Sequence, residues 1–97
     1  MLEGVRLKAE GVTSGVPDLC FPMPMPKSDP KLGHWHGLYI EMKRTKGGKV
    51  SPQQHKLHAL LTAQGYAVAV CLGADWAQQV IEAYLSSSPA LAGALVK

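Results

Sequence analysis

Asp18, Glu41 and Lys43 are the residues of this 97-residue sequence whose types and spacing suit chemistry on a charged ester. Glu41 and Lys43 lie two apart in LYIEMKRTKGG (38–48), where Leu38, Ile40 and Met42 alternate with Tyr39, Glu41 and Lys43. A period of two is the pattern of a strand, so the carboxylate and the ammonium share one face and the apolar residues take the other. Asp18 opens a second strand-like run, VPDLCF (16–21), with Leu19 and Phe21 on one side and Asp18 and Cys20 on the other. When two such strands pair antiparallel, the beginning of one lies beside the end of its neighbour. Asp18 then comes close to Glu41, and three charged groups converge at one end of a sheet.

Two carboxylates at contact distance repel, and one tends to take up a proton. A divalent cation removes the conflict. Mg²⁺ prefers oxygen ligands, keeps several waters and commonly uses one or two carboxylates plus substrate phosphates. Such an ion lowers the pKa of a coordinated water and neutralises charge in a phosphoryl transition state. Lys43, on the same face, has three roles open to it: orienting the attacking water, deprotonating it, or stabilising the developing charge. Together these are the parts for hydrolysing a phosphodiester. The plainer alternative is an exposed Glu41–Lys43 pair, worth less than about 1 kcal/mol.

The elements that must position these groups follow from the rest of the chain. Residues 2–10 suit a short helix stopped by Gly11, and TSG (13–15) a turn. Pro17 stands at the start of the first strand, where a missing N–H is tolerated. PMPMPKSDPKLGH (22–34) carries four prolines and reads as a loop, stiff in its first half. Residues 36–43 form the second strand, and TKGGK breaks it. SPQQHKLHALLTAQG predicts the clearest helix: Ser51 as N-cap, Pro52 at the first helical position, Gln54 three past the cap in a capping box, and Gly65 as the stop. Leu57, Leu60 and Leu61 form its apolar stripe. YAVAVCL (66–72) is a continuous apolar run of strand length, suited to a strand covered on both faces. A last helix starts at Gly73 or Asp75, with Trp76, Val80, Ile81 and Tyr84 on one face, and SSSP ends it. The tail, ALAGALVK, is free to dock, fray or pack on a partner chain. The helix over 51–64 crosses over, right-handed, to bring 66–72 parallel to 36–43. The expected fold is therefore a small α/β domain with a mixed sheet.

Size and composition set the frame. A chain this long, 46% hydrophobic and 18% charged, suits one domain. It has no apolar run of about 18 residues, so no membrane span is expected, and MLEGVRLKAEG lacks the apolar stretch of a secretory signal. Cys20 and Cys71 sit in apolar runs and read as buried reduced thiols of a cytoplasmic protein, with a disulfide as the minor reading. Net charge is +3, and Lys43, Arg44, Lys46 and Lys49 crowd into one short segment. Such a cluster is either a solvated loop or a track for a polyanion's backbone, and Gly47 and Gly48 allow close approach to phosphates.

Other candidates weigh less. His34, His36, His55 and His58 lack finger-like spacing, and His55 and His58 are simply adjacent on a helix face, so zinc is not expected. A histidine touching phosphate is the better use, and His55 is counted with Arg44, Lys46 and Lys49 as a nucleic-acid contact. Trp35 either stacks on a base or shields the edge of the core. TKGGK is not a phosphate-binding P-loop, because it lacks the GK[ST] ending.

GVPD (15–18) followed by IEMK (40–43) resembles the PD-(D/E)XK nuclease superfamily. LKAEGVTSGVPDL, GLYIEMKR and VSPQQHKLHALLTAQGY narrow the resemblance to the virus-type replication-repair nuclease (VRR-NUC) domain in its small stand-alone form, over residues 6 to about 85 of a single domain, with 86–97 as a tail. The resemblance implies a restriction-endonuclease-like core with a mixed β-sheet flanked by helices. It implies Mg²⁺ or Mn²⁺ held by Asp18, Glu41 and the Met42 backbone carbonyl, with Lys43 as the catalytic lysine and Gln54 at the active site. It further implies a homodimer acting on branched DNA such as four-way junctions, in the cytoplasm of a bacterium or phage-infected cell. The family often places another metal-site acid on an N-terminal helix well before the PD motif; here the sequence departs from the pattern, and Glu3 and Glu10 are poor stand-ins. Two readings from other classes fit the same residues: a non-catalytic DNA-binding or assembly module, and a small interaction protein with an incidental charge cluster.

Overall fold

The computed structural model of the chain describes residues 16–96; the expected helix at 2–10, the TSG turn, Glu3 and Glu10 lie outside them. Strand β1 (Leu19–Phe21) pairs antiparallel with β4 (Leu38–Lys43), and β4 pairs parallel with β5 (Ala67–Leu72). The order β1-β4-β5 makes β4 the central strand. Helix α1 (Pro52–Ala63) makes the crossover from β4 to β5. This is the mixed sheet that the pattern predicts.

The two faces of β4 have different fates. Leu38 and Ile40, with Ala67, Ala69 and Cys71 of β5, face α2 (Ala74–Leu85) and α3 (Leu91–Ala94), where Ala77, Val80, Tyr84 and Leu91 complete the core. The alanines let helix backbones approach closely. Tyr84 is fully buried and donates its hydroxyl to the Met23 carbonyl at 2.6 Å, so its polar tip is satisfied. Burial pushes its phenol up to about 12. The other face of β4 carries Tyr39, Glu41 and Lys43, and α1 covers it.

The structure corrects the sequence reading in several places. The proline-rich stretch is not a plain loop. It contains β2 (Met25–Pro26) paired antiparallel with β3 (His34–Trp35), and a 3-10 turn (Pro30–Leu32) capped by Asp29 at the tip. A ladder this short needs few N–H donors, so proline is tolerated in it. The strand expected over 36–43 starts at Leu38. His36 instead turns its N–H to the Gly65 carbonyl, and a side chain at Gly37 would meet the Phe21 carbonyl at 2.9 Å. The leucine stripe of α1 is not its buried face: Leu60 is 56% exposed, Leu57 and Leu61 are half-buried, and the buried residue is His58. Trp76 is likewise exposed, and Ala77 takes its place in the core. Of the two starts expected for α2, Gly73 is the cap, with φ at +99°. Cys71 is buried, with its thiol pKa pushed up by burial, while Cys20 is only half-buried; both are free thiols.

The tail docks. After α3, Leu95 bridges Ala69 antiparallel, and Val96 donates its N–H to the Val68 carbonyl at 2.8 Å. The chain thus covers the free edge of β5, which would otherwise present unpaired backbone groups. Leu91 and Leu95 pack on the core. The apolar surface of the tail is therefore largely spent inside the molecule.

Candidate active site

The strand pairing carries Asp18 to the end of β4 that holds Glu41. Leu19 is opposite Ile40, so the same register carried one residue on sets Asp18 opposite Glu41, and directly opposed residues share a face. The Asp18 carboxylate also accepts the Met42 backbone N–H at 2.9 Å, which pins it to the end of β4. The two acids differ in environment. Asp18 is exposed, whereas Glu41 is 2% exposed beneath α1.

Lys43 follows on the same face. Its Nζ lies 3.9 Å from Glu41 Oε2 and 2.9 Å from Gln54 Oε1. Gln54 is fixed by the start of α1. Ser51 Oγ accepts the Gln54 N–H at 3.2 Å, and Gln54 Oε1 accepts the Ser51 N–H at 2.8 Å, closing the capping box. One oxygen of Gln54 therefore serves both the helix cap and the lysine. Ser51→Ala removes only the cap hydroxyl. It is expected to cost about 1 kcal/mol in urea unfolding and to leave the Gln54–Lys43 hydrogen bond in place.

His58 is the site residue that sequence reasoning missed. It is one turn past Gln54 on α1, 2% exposed, with Nε2 3.7 Å from Glu41 Oε1. Burial, then His55, then Lys43, hold its pKa below the ordinary imidazole value. Its approach to Glu41 is a polar contact just beyond hydrogen-bond range. The spacing held a signal: a helix that aims position 54 at Lys43 must aim position 58 at the same strand.

The basic residues Arg44, Lys46 and Lys49 are exposed on the segment that joins β4 to α1, directly beyond Lys43, and His55 is exposed on the first turns of α1. That segment begins at Lys43 and ends at the start of α1. The glycines between them serve the loop's own path. Gly47 has φ at +74°, and a side chain at Gly48 would meet Arg44 backbone atoms and Lys43 Cβ at about 3 Å. Trp35 packs against the core, with Lys27 Nζ 4.4 Å from its ring centroid, and so shields the core edge.

Whether these residues suit a cation depends on their donors. Among the described residues no group of three or more His, Cys, Asp or Glu side chains converges. Among these residues the set is two carboxylates, with backbone, water and substrate oxygens to complete it. Hard oxygen donors of that number fit Mg²⁺ or Mn²⁺ and do not suit zinc. Also among the described residues, no helix is long and apolar enough to cross a membrane.

Comparison with known proteins gives a family and a fold. The VRR-NUC domain family matches over residues 2–75. Among solved structures, a VRR_NUC domain protein superposes with a TM-score of 0.68 at 29% identity, covering 89% of this chain and 65% of that one. The chain therefore spans somewhat less than two thirds of that protein's length. No curated protein matches.

Proposed function

The chain belongs to the VRR-NUC domain family, and from that premise we propose that it is a Mg²⁺- or Mn²⁺-dependent endodeoxyribonuclease that cuts branched DNA, such as four-way junctions, as a homodimer. One observation carries the reading. A carboxylate pinned to the Met42 N–H, a buried carboxylate opposite it, and an ammonium 3.9 Å from the second occupy one strand end beside a basic loop.

In this reading Asp18, Glu41 and the Met42 carbonyl hold the cation. When bound, the cation supplies an acidified water and charge neutralisation at the scissile phosphate. Lys43, held by Gln54, orients the attacking water or takes its proton. Attack is in line, the phosphorus–oxygen bond opposite the water breaks, and no covalent enzyme intermediate forms. Arg44, Lys46, Lys49 and His55 lie against the DNA backbone, where each neutralised phosphate adds to the salt dependence of binding. Branched substrates are the natural partner of a two-fold enzyme, because paired cuts need paired sites. Leu60, exposed on the same helix as Gln54, offers apolar surface for such a pairing.

A labelled four-way junction and a linear duplex of the same sequence test this directly. With Mn²⁺ or Mg²⁺ the junction should be cut, the duplex left largely intact, and EDTA should stop the reaction. Binding of DNA without cutting under either metal would make the protein a binding module. Equal cutting of both substrates would remove the preference for branches. A monomer by light scattering at micromolar concentration would remove the dimer.

A further inference from the structure

His58 is a buried polar side chain that the scheme above leaves unused. It is 2% exposed, and among the described residues neither ring nitrogen has a hydrogen-bond partner. Leaving a buried ring N–H without an acceptor is costly, and a histidine is a poor choice for mere filling on a helix rich in leucine and alanine. Its place is specific. Gln54 and His58 are four apart on one face of α1. The first reaches Lys43 and the second points Nε2 at Glu41 Oε1 from 3.7 Å. Glu41 is thereby bracketed, with Lys43 toward Oε2 and His58 toward Oε1.

We propose that His58 is a positioning residue whose Nε2–H donates to Glu41 Oε1 and turns Oε2 toward the cation; the inference rests on the nuclease reading above. At 3.7 Å the pair stands just beyond hydrogen-bond range, and contacts of this kind often tighten only when a site is loaded. A glutamate side chain has three rotatable bonds. Tethering one carboxylate oxygen reduces the freedom that ligation must remove, and outer partners of metal ligands commonly change metal affinity by about 10–100-fold.

The test is Mn²⁺ titration of the full chain by calorimetry, with urea unfolding of each variant alongside. His58→Leu fills the space and lacks a donor. His58→Gln places an amide N–H where Nε2 stood, and His58→Asn places one where Nδ1 stood. His58→Leu and His58→Asn are expected to weaken Mn²⁺ binding by about 10–100-fold, and His58→Gln to bind close to wild type. Leu binding as wild type does, or Gln falling as far as Leu and Asn, overturns the proposal. Should His58→Leu fail to fold, the Gln–Asn comparison decides. A ¹⁵N-histidine spectrum of the metal-free protein adds an independent reading: the proton should reside on Nε2, and residence on Nδ1 overturns the inference. Glu41→Gln separates the two levels. If it binds Mn²⁺ as tightly as wild type, the metal reading of Glu41 fails and this inference falls with it. If it weakens binding while His58→Leu does not, only the inference falls.

Discussion

Glu41→Gln is expected to reduce junction cleavage by on the order of 10³-fold or more, the scale on which a charge aimed at a reacting centre is lost, while the fold stands. The substitution keeps the volume of a side chain that is 2% exposed, so it opens no cavity. What changes is charge. Glu41 is one of the two acids at the end of β4, and an amide is a weak ligand for a hard cation. Stability is expected to move little, or to rise, because a carboxylate under a helix is costly to desolvate and Lys43 keeps its 2.9 Å bond to Gln54. Asp18→Asn is a milder companion. Its amide oxygen still accepts the Met42 N–H, so the local backbone is kept while the charge is lost. Single-turnover rates with Mn²⁺, measured beside thermal melting, separate the two quantities. Cleavage by Glu41→Gln within tenfold of wild type would show that the acid pair is not the centre of the reaction.

The reason Glu41 was legible in the sequence is the strand period. Leu38, Ile40 and Met42 fix one face of β4, so Tyr39, Glu41 and Lys43 must take the other, and antiparallel pairing brings Asp18 alongside. The cap of α1 was legible for an equally local reason, since Ser51, Pro52 and Gln54 stand where a helix start needs them. His58 was not legible from apolar periodicity. A helix that covers an apolar sheet face buries its leucines, but α1 covers the face that holds Glu41 and Lys43, so it buries a histidine and leaves Leu60 in solvent. The β2–β3 pair was hidden because proline content argues against long strands and says little about a two-residue ladder. The docking of Leu95 and Val96 depends on an open edge of β5, a property of the assembled sheet that no local pattern carries.

The sharpest remaining question within the site is what Lys43 does, and a pair of substitutions is expected to answer it. Lys43→Met keeps most of the stem and removes the ammonium. Cleavage should fall by about 10²–10⁴-fold, the range for a positioned proton-transfer group, with Mn²⁺ affinity and junction binding largely kept. Lys43→Arg keeps the charge. If electrostatic stabilisation were the whole role, arginine would restore most of the rate. A guanidinium is not deprotonated in proteins and presents a rigid planar fork in place of a compact point charge. The space it must enter is closed by Gln54 Oε1 on one side and Glu41 Oε2 on the other, with the lysine side chain only 16% exposed. Arginine is therefore expected to remain as inactive as methionine. Gln54→Ala should fall between the two and wild type, because it leaves the ammonium present but without its 2.9 Å anchor. A substantial rate in Lys43→Arg would assign the lysine to charge stabilisation alone. Equal loss in both variants, with an intermediate Gln54→Ala, would show that the rate needs a compact ammonium held at this position.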